Sequence, residues 1–92
     1  MPNVRVPSML RPTVGGERNL AAEGSTLREL INNLDARHPG FAQQLLEPSG
    51  QQRAFVNIYV NDEDVRYLNG LDTPVETSDV VSILPAVAGG LS

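Results

Sequence analysis

At 92 residues the chain has room for one domain, because smaller pieces could not each bury a core of their own. About 60–65% of the unfolded surface can be buried at this length, enough for one sheet with one or two helices over it, and a deep substrate cavity is hard to build in that volume. A net charge of −4 without any basic run argues against a nucleic-acid partner. The absence of cysteine excludes a disulfide framework, a thiolate metal site and a thiol nucleophile.

The single histidine, His38, cannot build a zinc site without thiolates. All 7 basic residues are arginine, which fits either an arginine-rich codon bias or a chain that avoids lysine amines beside an activated group. No apolar run approaches the ~20 residues of a membrane span. Met1-Pro2-Asn3-Val4-Arg5 lacks the layout of a signal peptide. The expected location is the cytoplasm, with no membrane partner.

In chain order, Asn3 to Leu10 alternates Val4 and Val6 against Arg5, Pro7 and Met9, which predicts a strand whose far half is an edge or bulge at Pro7. Arg11 to Gly16 is turn material, and Arg18 to Ala22 returns as a short strand, making an N-terminal hairpin. Thr26 and Glu29 have the spacing of a capping box. Behind them Leu27, Leu30, Ile31 and Leu34 fall at i, i+3, i+4 and i+7 and predict an amphipathic helix. His38-Pro39-Gly40 ends it, so His38 reads as a helix C-terminal residue with no catalytic role.

Phe41 to Leu46 suits one further helical turn, and Glu47 to Gly50 a loop. Ala54 to Val60 is the strongest strand, with Val56, Ile58 and Val60 on the expected core face and Phe55, Asn57 and Tyr59 opposite. Asn61-Asp62-Glu63-Asp64 reads as a solvated turn, since it lacks the spacing of a calcium loop. A brief strand at Val65-Arg66-Tyr67 and an irregular stretch from Leu68 to Thr77 follow. Val80 to Leu84 is the last strand, with Val81 and Ile83 facing one way and Val80, Ser82 and Leu84 the other.

Strand, strand, helix, strand, short strand, strand defines an α+β class: a β-grasp (ubiquitin-like) mixed sheet with one main crossover helix. The expected organisation is a domain over residues 1–84 and a flexible tail over 85–92. No catalytic constellation is legible. His38 sits at a helix end, no serine lies in a nucleophile elbow, and the carboxylates fall in polar turns.

The tail carries the unusual feature. Pro85 offers no N–H to extend the ladder, and the small residues after it end in Gly89-Gly90. Fully extended, Leu84 to Gly90 spans about 20 Å, and two residues without Cβ can pass a narrow channel into another enzyme's active site. Gly-Gly alone is also what a frayed terminus looks like. At a short fixed distance after the last strand of this fold it is a stronger sign.

Phe55-Val56-Asn57-Ile58-Tyr59-Val60-Asn61-Asp62-Glu63-Asp64-Val65-Arg66 and Ile83-Leu84-Pro85-Ala86-Val87-Ala88-Gly89-Gly90, with the Val4-to-Pro12 stretch and Gly15-Gly16, resemble the ThiS/MoaD class of sulfur carriers, most closely its CysO type. The resemblance covers nearly the whole chain and implies a protein cosubstrate, not an enzyme. Gly90 would be adenylated by an E1-like (MoeB/ThiF-type) activating enzyme using ATP and converted to a thiocarboxylate, while Gly89, Ala88 and Val87 thread the partner's channel. No cofactor is expected to be bound. In the CysO type the sulfur goes to a PLP-dependent cysteine synthase, and a zinc metalloprotease then frees the cysteine. Leu84, with Val80, is the expected docking patch for the activating enzyme.

One departure stands out: Leu91 and Ser92 follow Gly90, so its carbonyl is an amide and cannot be adenylated directly. The expectation is proteolytic processing between Gly90 and Leu91. Alternatives are a carrier supplying sulfur to a secondary metabolite, the small subunit of molybdopterin synthase, or an interaction module with an inert tail.

Overall fold

The computed structural model describes residues 1–85. Five strands, β1 (Asn3–Arg5), β2 (Asn19–Ala21), β3 (Val56–Val60), β4 (Glu63–Asp64) and β5 (Val80–Pro85), form one sheet in the order β2-β1-β5-β3-β4. β1 runs parallel to β5, and the β1–β2, β3–β5 and β3–β4 pairs are antiparallel. Helix α1 (Leu27–Arg37) and the short α2 (Phe41–Leu45) cover one face of this mixed sheet.

Period two and period 3.6 meet in one core. Val4, Val56, Ile58, Val60, Val81 and Ile83 are buried from the sheet, and Leu27, Leu30, Ile31 and Leu34 from α1. Phe41 and Leu45 of α2 close the side of this cluster and are fully buried. Asp35 Oδ1 accepts from the amides of Gly40 and Ala42, at 3.1 and 3.0 Å, and so ties the start of α2 to the end of α1.

α1 opens as its sequence predicts, with a shift. Thr26 Oγ1 accepts from the Glu29 amide at 3.3 Å. The Glu29 carboxylate reaches past Thr26 to the Ser25 amide (3.0 Å) and Ser25 hydroxyl (2.8 Å), so the reciprocal half of the capping box moves one residue outward. The Ser25 amide, then its hydroxyl, holds the Glu29 carboxyl below the ordinary glutamate value. A lowered pKa means the folded state binds its proton less readily than the unfolded chain. The contribution is therefore whole at neutral pH and is lost as pH falls through the carboxylate range. Glu29→Gln should accordingly flatten the acid limb of a stability–pH curve from chemical denaturation while leaving its neutral region lower than the parent's.

Gly24, at φ +155°, lies against the first turn of α1: a Cβ there would stand 2.5 Å from the Leu30 amide nitrogen and 2.9 Å from the Glu29 carbonyl carbon. Both obstacles are backbone. Gly24→Ala should cost about 2 kcal/mol or more in urea unfolding, as overpacking does. Gly16→Ala, at φ +85° with open space around it, should cost only about 1 kcal/mol of backbone strain.

Three stretches depart from the sequence reading. The first strand stops at Arg5, because Pro7 cannot pair and instead starts a 3₁₀ helix, Ser8–Val14, that buries Leu10 and Val14 four residues apart. Val65–Tyr67 is a 3₁₀ turn and not a strand: Asp64 accepts from the Arg66 amide at 2.9 Å and bends the chain, leaving Glu63–Asp64 as the strand. Gly70–Asp72, read as irregular, is a third 3₁₀ turn.

Candidate functional site: the open sheet face at the end of the last strand

The sheet's second face carries no helix. Its side chains follow from the register: Arg5 on β1 and Tyr59 on β3 flank Ser82, Asn57 stands beside Leu84, and Asn3 beside Val80. Leu84 is 50% exposed, a large apolar side chain left in water at the point where the described chain ends. Val80 shares the face but is half-buried and lies four residues back, about 13 Å away along the strand. Its amide is held by Asn61 Oδ1 at 2.9 Å. Leu84 and Val80 are thus two ends of one stripe, bridged by Ser82.

The strand does not end at Leu84 as its sequence suggests. Asn61 donates to the Val80 carbonyl at 2.9 Å, which makes 61/80, 59/82 and 57/84 the hydrogen-bonded pairs. Pro85 opposite Val56 then falls at a non-bonded position, where β3 asks nothing of the missing N–H. So β5 accommodates one residue more and runs through Pro85, the last residue described.

The opposing start of β3 is braced on its outer edge. β4 is too short to cover it, and side chains stand in for a strand. Arg66 donates to the Val56 carbonyl at 2.7 Å and to the Ala54 carbonyl at 3.2 Å, and Gln52 Nε2 to the Val56 carbonyl at 2.6 Å. Arg66 also bonds Asn57 Oδ1 and lies 3.6 Å from Asp64 Oδ2. The start of β3 is therefore held on both edges, by β5 on one and by these side chains on the other.

Beside Leu84 a groove of about 390 Å³ opens between Arg5, Arg11, Tyr59 and Ser82. Met9 and Phe55, both more than half exposed, flank a smaller apolar depression of about 40 Å³ around Val56 and Ile83. Arg5, Arg11 and Tyr59 carry no signal as site residues in the linear sequence; only the registers, which set β1 and β3 on either side of β5, bring them to Leu84. Gly90, Gly89, Ala88, Val87 and Leu91 lie outside the described residues. Among the described residues no group of three metal-ligating side chains occurs, and no helix is long and apolar enough to cross a membrane.

A mixed five-stranded sheet with one covered face, a bare face and an exposed leucine near the end of its last strand describes a ubiquitin-like β-grasp protein, and the chain belongs to the ThiS family, whose model matches residues 4–90. It is 49% identical over 89 residues to the sulfur carrier protein CysO of Mycobacterium tuberculosis, covering 95% of this chain and 96% of that one. The crystal structure of M. tuberculosis CysO superposes with a TM-score of 0.91 at 46% identity, covering 95% of this chain and all of the other. The Amycolatopsis orientalis BexX/CysO complex contains a chain that superposes with a TM-score of 0.92 at 42% identity, covering 98% and 100%. These likenesses support a sulfur-carrier role and a protein that acts through protein partners.

Proposed function

We propose that this chain carries sulfur as a thiocarboxylate on Gly90 and donates it in cysteine biosynthesis. After removal of Leu91 and Ser92, a Gly90 carboxylate oxygen attacks the α-phosphorus of ATP in an E1-like (MoeB/ThiF-type) enzyme and releases pyrophosphate. A sulfur nucleophile then displaces AMP from the acyl adenylate, leaving the C–S bond. In a PLP-dependent cysteine synthase that sulfur, still joined to Gly90, forms the new C–S bond of cysteine as the phosphate of O-phosphoserine leaves. A zinc metalloprotease then hydrolyses the link between carrier and cysteine, freeing the amino acid and the Gly90 carboxylate. The chain is a cosubstrate in each step, and ATP belongs to the activating partner.

The observation that carries the reading is the conjunction of fold and exit. The last strand carries an exposed Leu84 on a helix-free face, and Gly89 and Gly90 follow Pro85 in sequence by four and five residues. The first test is pyrophosphate release by the activating enzyme with two substrates, the chain ending at Gly90 and the chain carrying Leu91-Ser92. Release from the first alone is expected. Release from neither defeats the reading, and equal release from both, with Leu91-Ser92 still attached, defeats the trimming step.

Leu84 is read as the docking contact. Leu84→Ser should raise KM for the activating enzyme about tenfold with kcat little changed, as loss of an interface anchor does. Its folding stability should move by less than about 1 kcal/mol, since half the side chain is already in water.

A further inference from the structure

We propose that the groove beside Leu84 receives a carboxylate side chain, aspartate or glutamate, of the activating partner, gripped by Arg5 and Arg11. The partner's identity follows from the sulfur-carrier reading above; the chemistry it must present comes from the groove.

Arg5 is exposed, stands beside Ser82 on the bare face and has neither a hydrogen-bond nor an ion-pair partner among the described residues. Arg11 is half-buried and uses Nε–H to donate to the Val6 carbonyl at 3.3 Å, which fixes the guanidinium plane. Its four remaining N–H groups have no acceptor among the described residues. A guanidinium with a fixed plane and free N–H groups matches a carboxylate's two oxygens.

The rest of the lining suits a side chain arriving from a protein. Val6, Pro7, Ile83 and Leu84 supply apolar wall, so an incoming residue would be partly shielded from water and its charge pair strengthened. Asp62 lines the same groove and, with Arg5, Asn61 and Val80, an adjoining depression that Arg11 and Leu84 do not reach. That end repels a second negative charge, so the groove favours one carboxylate beside an apolar contact over an acidic run. On a chain of net charge −4, two arginines with uncommitted N–H groups next to the exposed leucine fix orientation where the overall field would not attract an acidic partner.

The experiment is pyrophosphate release by the MoeB/ThiF-type enzyme of the same organism, with the chain ending at Gly90 as the varied substrate over a series of salt concentrations. Arg5→Gln with Arg11→Gln should raise KM about tenfold, leave kcat unchanged and flatten the salt dependence of kcat/KM. Leu84→Ala should raise KM yet keep the parent's salt slope. Arg28→Gln, on α1 across the sheet, should match the parent. Arg5→Gln alone removes no contact within the fold, so its smaller rise in KM reads the groove even where Arg11→Gln disturbs folding. Parent-like KM and salt slope in Arg5→Gln and in the double variant would overturn the docking site while leaving the carrier reading intact. A parent chain that is not adenylated at all removes the carrier reading and this docking site together.

Discussion

Ending the chain after Ala88 should abolish ATP-dependent thiolation while leaving folding unchanged. The two halves of that result have separate causes. The buried cluster lies between Val4 and Ile83, so nothing it depends on is removed. The Gly90 carboxylate that takes the adenylate is removed, and the new terminal carboxylate, on Ala88, stops two residues short of that position and lacks the two glycines before it. Gly90→Ala is the milder form, made in the chain ending at residue 90. A methyl group beside the reacting carbon should lower kcat/KM by about 100-fold, the scale of a misplacement of roughly 1 Å at a reacting centre. Intact mass and pyrophosphate release measure the first effect, and thermal unfolding checks the second.

Phe41→Ala should be the most damaging single truncation in the domain. Phe41 is fully buried, and it closes the open side of the α1–sheet sandwich from a helix of only five residues. A helix that short has little stability of its own and holds its place through Phe41, Leu45 and the two Asp35 hydrogen bonds. Losing the ring should cost about 3–5 kcal/mol by transfer and cavity terms together. For 92 residues the whole stability is on the order of 5–10 kcal/mol. The urea midpoint should therefore fall by roughly half, while Leu46→Ala, at a partly buried position, should shift it much less.

Legibility followed how local each determinant was. α1 was written in its cap and its four-leucine-type stripe, and the structure starts it at Leu27, directly after Thr26. β3 and β5 were written in period two, and Val56, Ile58, Val60, Val81 and Ile83 all point inward. Where a polar side chain captures the backbone, composition misled. Val65-Arg66-Tyr67 has strand-forming residues, but Asp64 takes the Arg66 amide and turns the chain. Met9 and Leu10 continue an alternation that Pro7 has already stopped. Pro85 looked like a ladder break because its pairing phase is set by Asn61 and Val80, five residues earlier on β5 and far off along β3.

The site divided the same way. Leu84 was legible, because alternation within one strand puts it opposite Val81 and Ile83. Arg5, Arg11 and Tyr59 were not: Arg5 and Arg11 come beside Leu84 through a parallel pairing of β1 with β5 across some 75 residues of sequence, and Tyr59 through the antiparallel pairing of β3 with β5. Arg66 as a brace for β3 was hidden for a different reason: it replaces a strand that the sequence seemed to supply.

The most direct test of the sulfur-carrier account is the intact mass of this chain after incubation with its host's lysate, which supplies the trimming protease and the activating enzyme, together with ATP and sulfide. The account predicts a species that has lost Leu91 and Ser92 and exchanged one oxygen for one sulfur at Gly90. A chain that keeps both residues and gains no sulfur, under conditions that thiolate a ThiS-family control, would contradict it.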